Sequence, residues 1–154
     1  MCSCMGQYEN HIDVAKTEQE LIPKLKEITF KRLVLNNSLL VIDDTLLLFD
    51  DDTTTHAFGF LRDTLRMDQW TNEKQISEEL MVAIKMLLNE TSNYRAINEN
   101  DAYFFSEGGW IDSNWGKAYS VDDISDKEES FKFDRVQDID PIRGKPNWYE
   151  YYAD

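Results

Sequence analysis

The chain is poor in the residues that staple, break or catalyse: its 154 residues include 2 Cys, 2 His, 3 Pro and 6 Gly. The cysteines, Cys2 and Cys4, sit two apart near the start and cannot join distant elements. A cytosolic setting would keep them reduced. A metal site there would need more ligands than His11, the one imidazole nearby. The expectation is a mobile tail over residues 1–12 with two exposed thiols. The longest apolar run is five residues, Leu80 to Ile84, against the roughly 20 that span a bilayer. Glu9, Asp13, Lys16, Glu18 and Glu20 leave no apolar stretch for a secretory signal. These absences predict a cytoplasmic protein with no membrane partner.

Positive charge is scarce as well. The chain has 16 Lys+Arg against 30 Asp+Glu, a formal charge of −14. Phosphate binding is driven by cations that displace counterions, so this balance works against direct nucleic acid binding. Catalytic signatures are missing too: there is no GxSxG, Walker A, GxGxxG or HExxH.

What is present is enough for a core. Hydrophobic residues make up 42% and aromatic residues 12% of the chain, which excludes an acidic disordered polymer. No repeat, low-complexity tract or Gly/Ser linker divides it, so residues 1–154 read as a single globular α+β domain. Its antiparallel sheet, an N-terminal meander plus C-terminal strands, is expected to pack against two or three helices.

Along the chain, Thr17 and Glu20 fit a capping box ahead of Leu21, Leu25 and Ile28, with Pro23 set to kink or split that helix. Three apolar clusters follow, from Phe30 to Leu35, Leu39 to Ile42 and Leu46 to Phe49. Asn36-Asn37-Ser38 and Asp43-Asp44-Thr45 separate them as tight turns, which predicts a three-stranded meander. Leu39-Leu40-Val41-Ile42 does not alternate, so that strand should be covered on both faces. A helix is expected through Ala57, Phe58, Leu61 and Leu65, then a turn around Trp70. A stronger helix carries Ile76, Leu80, Ala83, Ile84, Leu87 and Leu88 and stops over Asn89–Asn93. Beyond it, Ser106-Glu107-Gly108-Gly109 reads as a hairpin turn between Ala102–Phe105 and Trp110–Ile111. Phe131 to Val136 alternates like a strand, and the aromatic tail Trp148 to Tyr152 should pack back onto the domain.

Two acidic groups could in principle do chemistry. Asp50, Asp51 and Asp52 beside His56 would hold Mg²⁺ or orient a general base, although acids ahead of a helix also complement its dipole. Asp43 and Asp44 are adjacent, so on a strand they would point to opposite faces and not converge on a metal. An EF-hand window over Asp112, Asn114 and Asp123 fails, because its glycine is at position 5 and no helix precedes it. No cofactor and no metal are assigned.

The charge is uneven. Between Glu99 and Asp140 there are 12 acids against 4 bases, interleaved with Trp110, Trp115, Tyr119 and Phe131. One reading is a solvated acidic face over a β-rich core. The other is a docking surface for a basic protein, a toxin or nuclease domain, in which Asp112, Asp122, Asp123, Asp126, Glu128 and Glu129 pair with its cations while Trp110 and Trp115 act as anchors. In general character alone, a small acidic domain without catalytic motifs resembles the immunity proteins with which bacteria block nuclease toxins. That resemblance implies stoichiometric, non-enzymatic inhibition. A nucleic-acid mimic directed against a defence nuclease, a metal-dependent enzyme using Asp50–Asp52 and His56, and a scaffold subunit are the alternatives.

Overall fold

The structure, a computed structural model, describes residues 8–49, 52, 63–110 and 113–154. In chain order its elements are β1 (Tyr8–Glu9), α1 (Val14–Lys16), a π-helical turn (Thr17–Leu21), α2 (Ile22–Leu25), β2 (Arg32–Asn36), β3 (Leu39–Ile42), β4 (Thr45–Leu48) and β5 (Asp63–Arg66). Then come α3 (Met67–Lys74), α4 (Glu78–Glu90), β6 (Arg95–Glu99), β7 (Ala102–Trp110), β8 (Ser113–Tyr119), a 3₁₀ turn (Glu128–Ser130), β9 (Val136–Pro141) and β10 (Trp148–Ala153). This is the α+β fold expected, with mostly antiparallel strands. The chain forms two compact units, residues 13–95 and residues 1–12 with 96–154. No helix among the described residues is long and apolar enough to cross a membrane.

In the unit of residues 13–95, β2, β3 and β4 form the predicted meander. Its turns are two residues long, and both central residues have positive φ: Asn37 (49°) and Ser38 (66°), then Asp43 (46°) and Asp44 (68°). That is the type I′ geometry whose twist matches the flanking strands, and Asn and Asp tolerate it better than other side chains. Asp43 also accepts from the amides of Lys31 and Arg32, at 2.8 and 2.9 Å. All four residues of β3 are buried. Leu39 and Val41 pack with Leu46 on one face, while Leu33, Leu40 and Leu47 are fully buried on the other. Each such leucine contributes about 1.5–3 kcal/mol of transfer free energy.

The helices differ from expectation at three points. The first helix is capped by Asp13, whose carboxylate accepts from the Lys16 amide at 3.1 Å, and not by Thr17. Thr17 has no exposed surface and lies in the π turn, which precedes Pro23 in the first turn of α2. The split that Pro23 predicts is therefore present, as a change of helical register. Of the helix expected through Ala57, Phe58, Leu61 and Leu65, the first three lie outside the described residues, and Leu65 lies in β5, parallel to β4 and opposite Leu47. Trp70, expected in a turn, is buried in α3, since the periodic pattern of Met67, Trp70 and Thr71 is too short to read without its partners. Helix α4 forms where predicted and ends at Thr91, but its buried stripe is Met81, Ile84, Leu87 and Leu88, while Ile76, ahead of the helix, and Leu80 and Ala83 are half-buried; Ser77 caps it.

A buried polar cluster fastens the first helix to the end of α4. The Asn93 side-chain amide donates to the hydroxyls of Thr17 and Thr91, both at 2.8 Å. Each hydroxyl in turn donates to a helix carbonyl, Thr17 to Asp13 and Thr91 to Leu87, both at 2.6 Å. At the rim, Lys16 meets Glu90 at 2.8 Å, and this hydrogen bond holds its ammonium pKa above the ordinary lysine value.

In the other unit the strand order is β6-β7-β8-β10-β9, with β1 on β7. Residues 8–12 of the expected tail are thus engaged: Tyr8 and Glu9 pair with Gly109 and Gly108, and Ile12 is buried. The aromatic tail packs back as predicted, forming β10 between β8 and β9. Asn100 (φ 52°) and Asp101 (φ 61°) make a third turn of the same kind, from β6 to β7.

Two predictions fail in this unit. Ser106-Glu107-Gly108-Gly109 is not a turn, because β7 runs unbroken from Ala102 to Trp110 with a bulge at Glu107. Two glycines here serve close approach: a Cβ on Gly108 would lie 2.4 Å from the Trp115 ring, and one on Gly116 of β8, opposite Ser106, 1.9 Å from the Phe105 carbonyl oxygen. Phe131 to Arg135 is not a strand, and Val136 begins β9. Phe131 and Phe133 both turn inward, their rings 4.8 and 4.6 Å from that of Phe104, so the alternation reflected two inward aromatics on a bent loop.

Asn93→Ala removes both donors to the threonine hydroxyls. It is expected to lower the unfolding free energy by about 2–3 kcal/mol in urea denaturation, since lost hydrogen bonds add to buried polar groups left unmatched.

Candidate functional site

The acidic stretch from Glu99 to Asp140 lies wholly within the unit of residues 1–12 and 96–154, which carries 15 acids against 6 bases, a net of −9. Its sheet has two distinct faces, because successive strand residues alternate. One face carries Phe104, Ala118, Ile139, Tyr149, Tyr151 and Ala153, and the loop after β8 covers it with Ile124 and Phe131. The other carries Trp115 and Lys117 of β8, Glu150 and Tyr152 of β10, and Asp138 and Asp140 of β9.

Several of the predicted binding acids hold the covering loop together. Asp123 accepts from the Ser125 amide at 3.0 Å. The hydrogen bond from the Ser125 side chain, then that from its amide, keeps the Asp123 carboxyl pKa below the ordinary value. Glu128 accepts from the amide of Ile139 at 3.2 Å, filling an outward N–H of edge strand β9. Glu99 accepts from the amides of Lys132 (2.8 Å) and Phe133 (3.0 Å). Asp126 has φ 58°, a left-handed position that Asp accepts. Asp122, Asp123, Asp126 and Glu129 are exposed, and Glu128 is half-buried. Asp112 lies outside the described residues, and Trp110 ends β7.

Trp115 does not join these acids. Its strand position sends it to the opposite face from Ile124 and Phe131, half-buried across Gly108. The proposed constellation is therefore divided between two surfaces. The sequence could not divide it, because the bulge at Glu107 and the placement of the loop decide which face each residue meets.

Two further clusters were invisible in the sequence. Glu107, buried at the bulge, ion-pairs with Lys117 and accepts from the Ile12 amide at 3.2 Å. On the loop-covered face, Ser106 donates to the Tyr151 hydroxyl at 3.2 Å, Tyr151 donates to the Asn114 carbonyl at 3.0 Å, and the Asn114 amide donates to Asp134 at 2.7 Å. Among the described residues no group of three or more His, Cys, Asp or Glu is placed to hold a metal ion.

Of the acidic run near His56, Asp52 is described. It accepts from the Phe49 amide at 2.9 Å and pairs with Lys85 at 3.4 Å, while the Lys85 ammonium lies 4.1 Å from the centre of the Phe49 ring. Asp52 thus closes a turn onto α4. Asp50, Asp51 and His56 lie outside the described residues, as do Cys2 and Cys4.

The Asp123 assignment can be checked by carboxyl NMR titration. Its folded pKa is depressed, so its contribution to stability is present at neutral pH and is lost as the pH falls through the folded value. Ser125→Ala is expected to raise the Asp123 midpoint toward the ordinary carboxylate value; an unchanged midpoint would contradict the assignment.

No protein-family model matches the chain, and no curated protein or solved structure matches it.

Proposed function

We propose that this is a non-catalytic, cytoplasmic binding protein that neutralises a basic protein, a nuclease-type toxin, by covering its substrate-binding surface. The reading makes it an immunity protein. The observation that carries it is the division of charge. One unit has a net of −9, and its carboxylates at Asp122, Asp123, Asp126, Glu129, Asp138, Asp140 and Glu150 are exposed. A nuclease groove is built to hold phosphates and so presents cations. An acidic surface steers toward such a groove and, once seated, excludes the nucleic acid. Inhibition of this kind needs neither a nucleophile nor a metal, only a rigid display of charge. The loop supplies rigidity by using Glu99, Asp123 and Glu128 as internal acceptors while their neighbours face water.

The test is stoichiometric titration against a toxin nuclease encoded beside it. One equivalent is expected to abolish nuclease activity, with the complex released progressively as salt rises. The triple variant Asp122→Asn, Asp126→Asn, Glu129→Gln leaves the internal acceptors in place and is expected to slow association about tenfold or more at low salt. A complex indifferent to ionic strength would refute the proposal.

A further inference from the structure

Charge alone does not say which surface touches the partner, and the register of β8, β10 and β9 separates the candidates. Tyr152 lies opposite Trp115 on one side and Asp138 on the other, so these three form a row across the strands. The next row on the same face is Lys117, Glu150 and Asp140. Directly opposite residues have Cβ atoms about 4.5–5.5 Å apart. The face thus presents two aromatic rings flanked by three carboxylates.

The second row holds an unresolved repulsion. Lys117 stands opposite Glu150, but its ammonium is taken by the buried Glu107 at the bulge. Glu150 therefore faces Asp140 as a like-charge cross-strand pair, an arrangement that destabilises a sheet. Asp138 adds a third negative charge on the same strand. The first row is unusual in a different way. Trp115 lies across Gly108, where any Cβ would collide with its ring, so the indole rests half-buried on bare backbone. Tyr152 beside it is 40% exposed. Solvation alone accounts for neither an exposed tyrosine beside a half-buried indole nor a repulsive carboxylate pair; a bound cation with a flat, apolar face satisfies both.

We infer that this face, formed by Trp115, Tyr152, Glu150, Asp138 and Asp140, is the docking site for an arginine-bearing segment of the basic protein partner. The inference rests on the reading of the partner as basic and adds which surface and which side chain. A guanidinium stacks on an aromatic ring and pairs two-pronged with carboxylates, whereas an ammonium acts as a compact, strongly hydrated point charge. The exposed loop acids on the other side have no comparable ring, so they steer and this face seats.

The experiment uses the full chain and two synthetic peptides of equal charge, one alternating Gly and Arg, the other Gly and Lys, followed by ¹H–¹⁵N NMR. The Arg peptide is expected to shift the Trp115 indole and Tyr152 amide signals and to bind about two- to fivefold more tightly than the Lys peptide. Tyr152→Leu and Trp115→Leu should each reduce that preference. Glu150→Gln should weaken both peptides while raising the melting temperature of the free protein by about 1–3 °C, as the repulsion with Asp140 is relieved. Equal affinity for the two peptides, or a lower melting temperature for Glu150→Gln, overturns the inference. Shifts confined to residues 122–129 also overturn it but leave the basic-partner reading standing. Absence of peptide binding anywhere on the protein counts against both.

Discussion

The constraint on which this structure most depends is that its irregular backbone must be hydrogen-bonded, and that carboxylates do the bonding. A buried or half-buried amide without an acceptor costs about as much as a lost hydrogen bond, and a charged acceptor is stronger than a neutral one. Asp13 caps the first helix, Asp43 holds the amides before β2, and Asp52 closes the turn after β4. Glu99, Asp123 and Glu128 fasten the long loop, and Glu107 holds the amide of Ile12. Part of the acid excess is therefore internal architecture. An immediate consequence is that acidity in the sequence overstates the acidity available to a partner, and the candidate surface is what remains after these acceptors are set aside.

The meander, the strong helix and the packed tail were legible because their signals are local. Two-residue Asn/Ser and Asp/Asp turns between apolar clusters specify a hairpin without help from the rest of the chain, and the apolar spacing through Ile84, Leu87 and Leu88 specifies α4. What misled was glycine and alternation. Gly108 and Gly109 suggested a turn, but they lie in a strand, and the smallness of Gly108 is explained by the tryptophan ring that β8 sets across it. The Phe131–Val136 alternation came from two rings reaching the same core from a bent loop. Both errors concern residues whose role is set by partners distant in sequence, which periodicity does not register. The same limit applies to the candidate site. The acids and Trp115 were identifiable as residue types, but their separation onto two faces is a matter of register.

The ion pair between Lys117 and Glu107 links these threads. Glu107 is one residue too many for its strand, and the bulge that accommodates it turns a carboxylate inward. A buried charge needs a partner, and the nearest cation on the adjoining strand is Lys117. That choice removes the cation that register would otherwise set beside Glu150. A local irregularity in β7 thereby determines the electrostatics of an exposed face two strands away. Neutralising Glu107 would free Lys117 to move toward Glu150, so a change at a buried residue would alter the surface charge without touching it.

An uncompensated pair such as Glu150 and Asp140 is easily lost, since one substitution to Gln or Lys would remove the repulsion without disturbing the core. Its presence beside the half-buried Trp115 and the exposed Tyr152 is therefore more informative than the net charge. Solubility needs charge, but it does not need like charges in register, and it is poorly served by an exposed tyrosine. The loop acids differ in this respect, because several are occupied and the rest are dispersed around a turn, where mutual repulsion is weaker. A partner that replaced the missing cation would relieve the strain on binding, so free energy withheld from folding would appear as affinity. The like-charge pair that costs the free sheet stability is thus also what a bound cation would satisfy, for the same electrostatic reason.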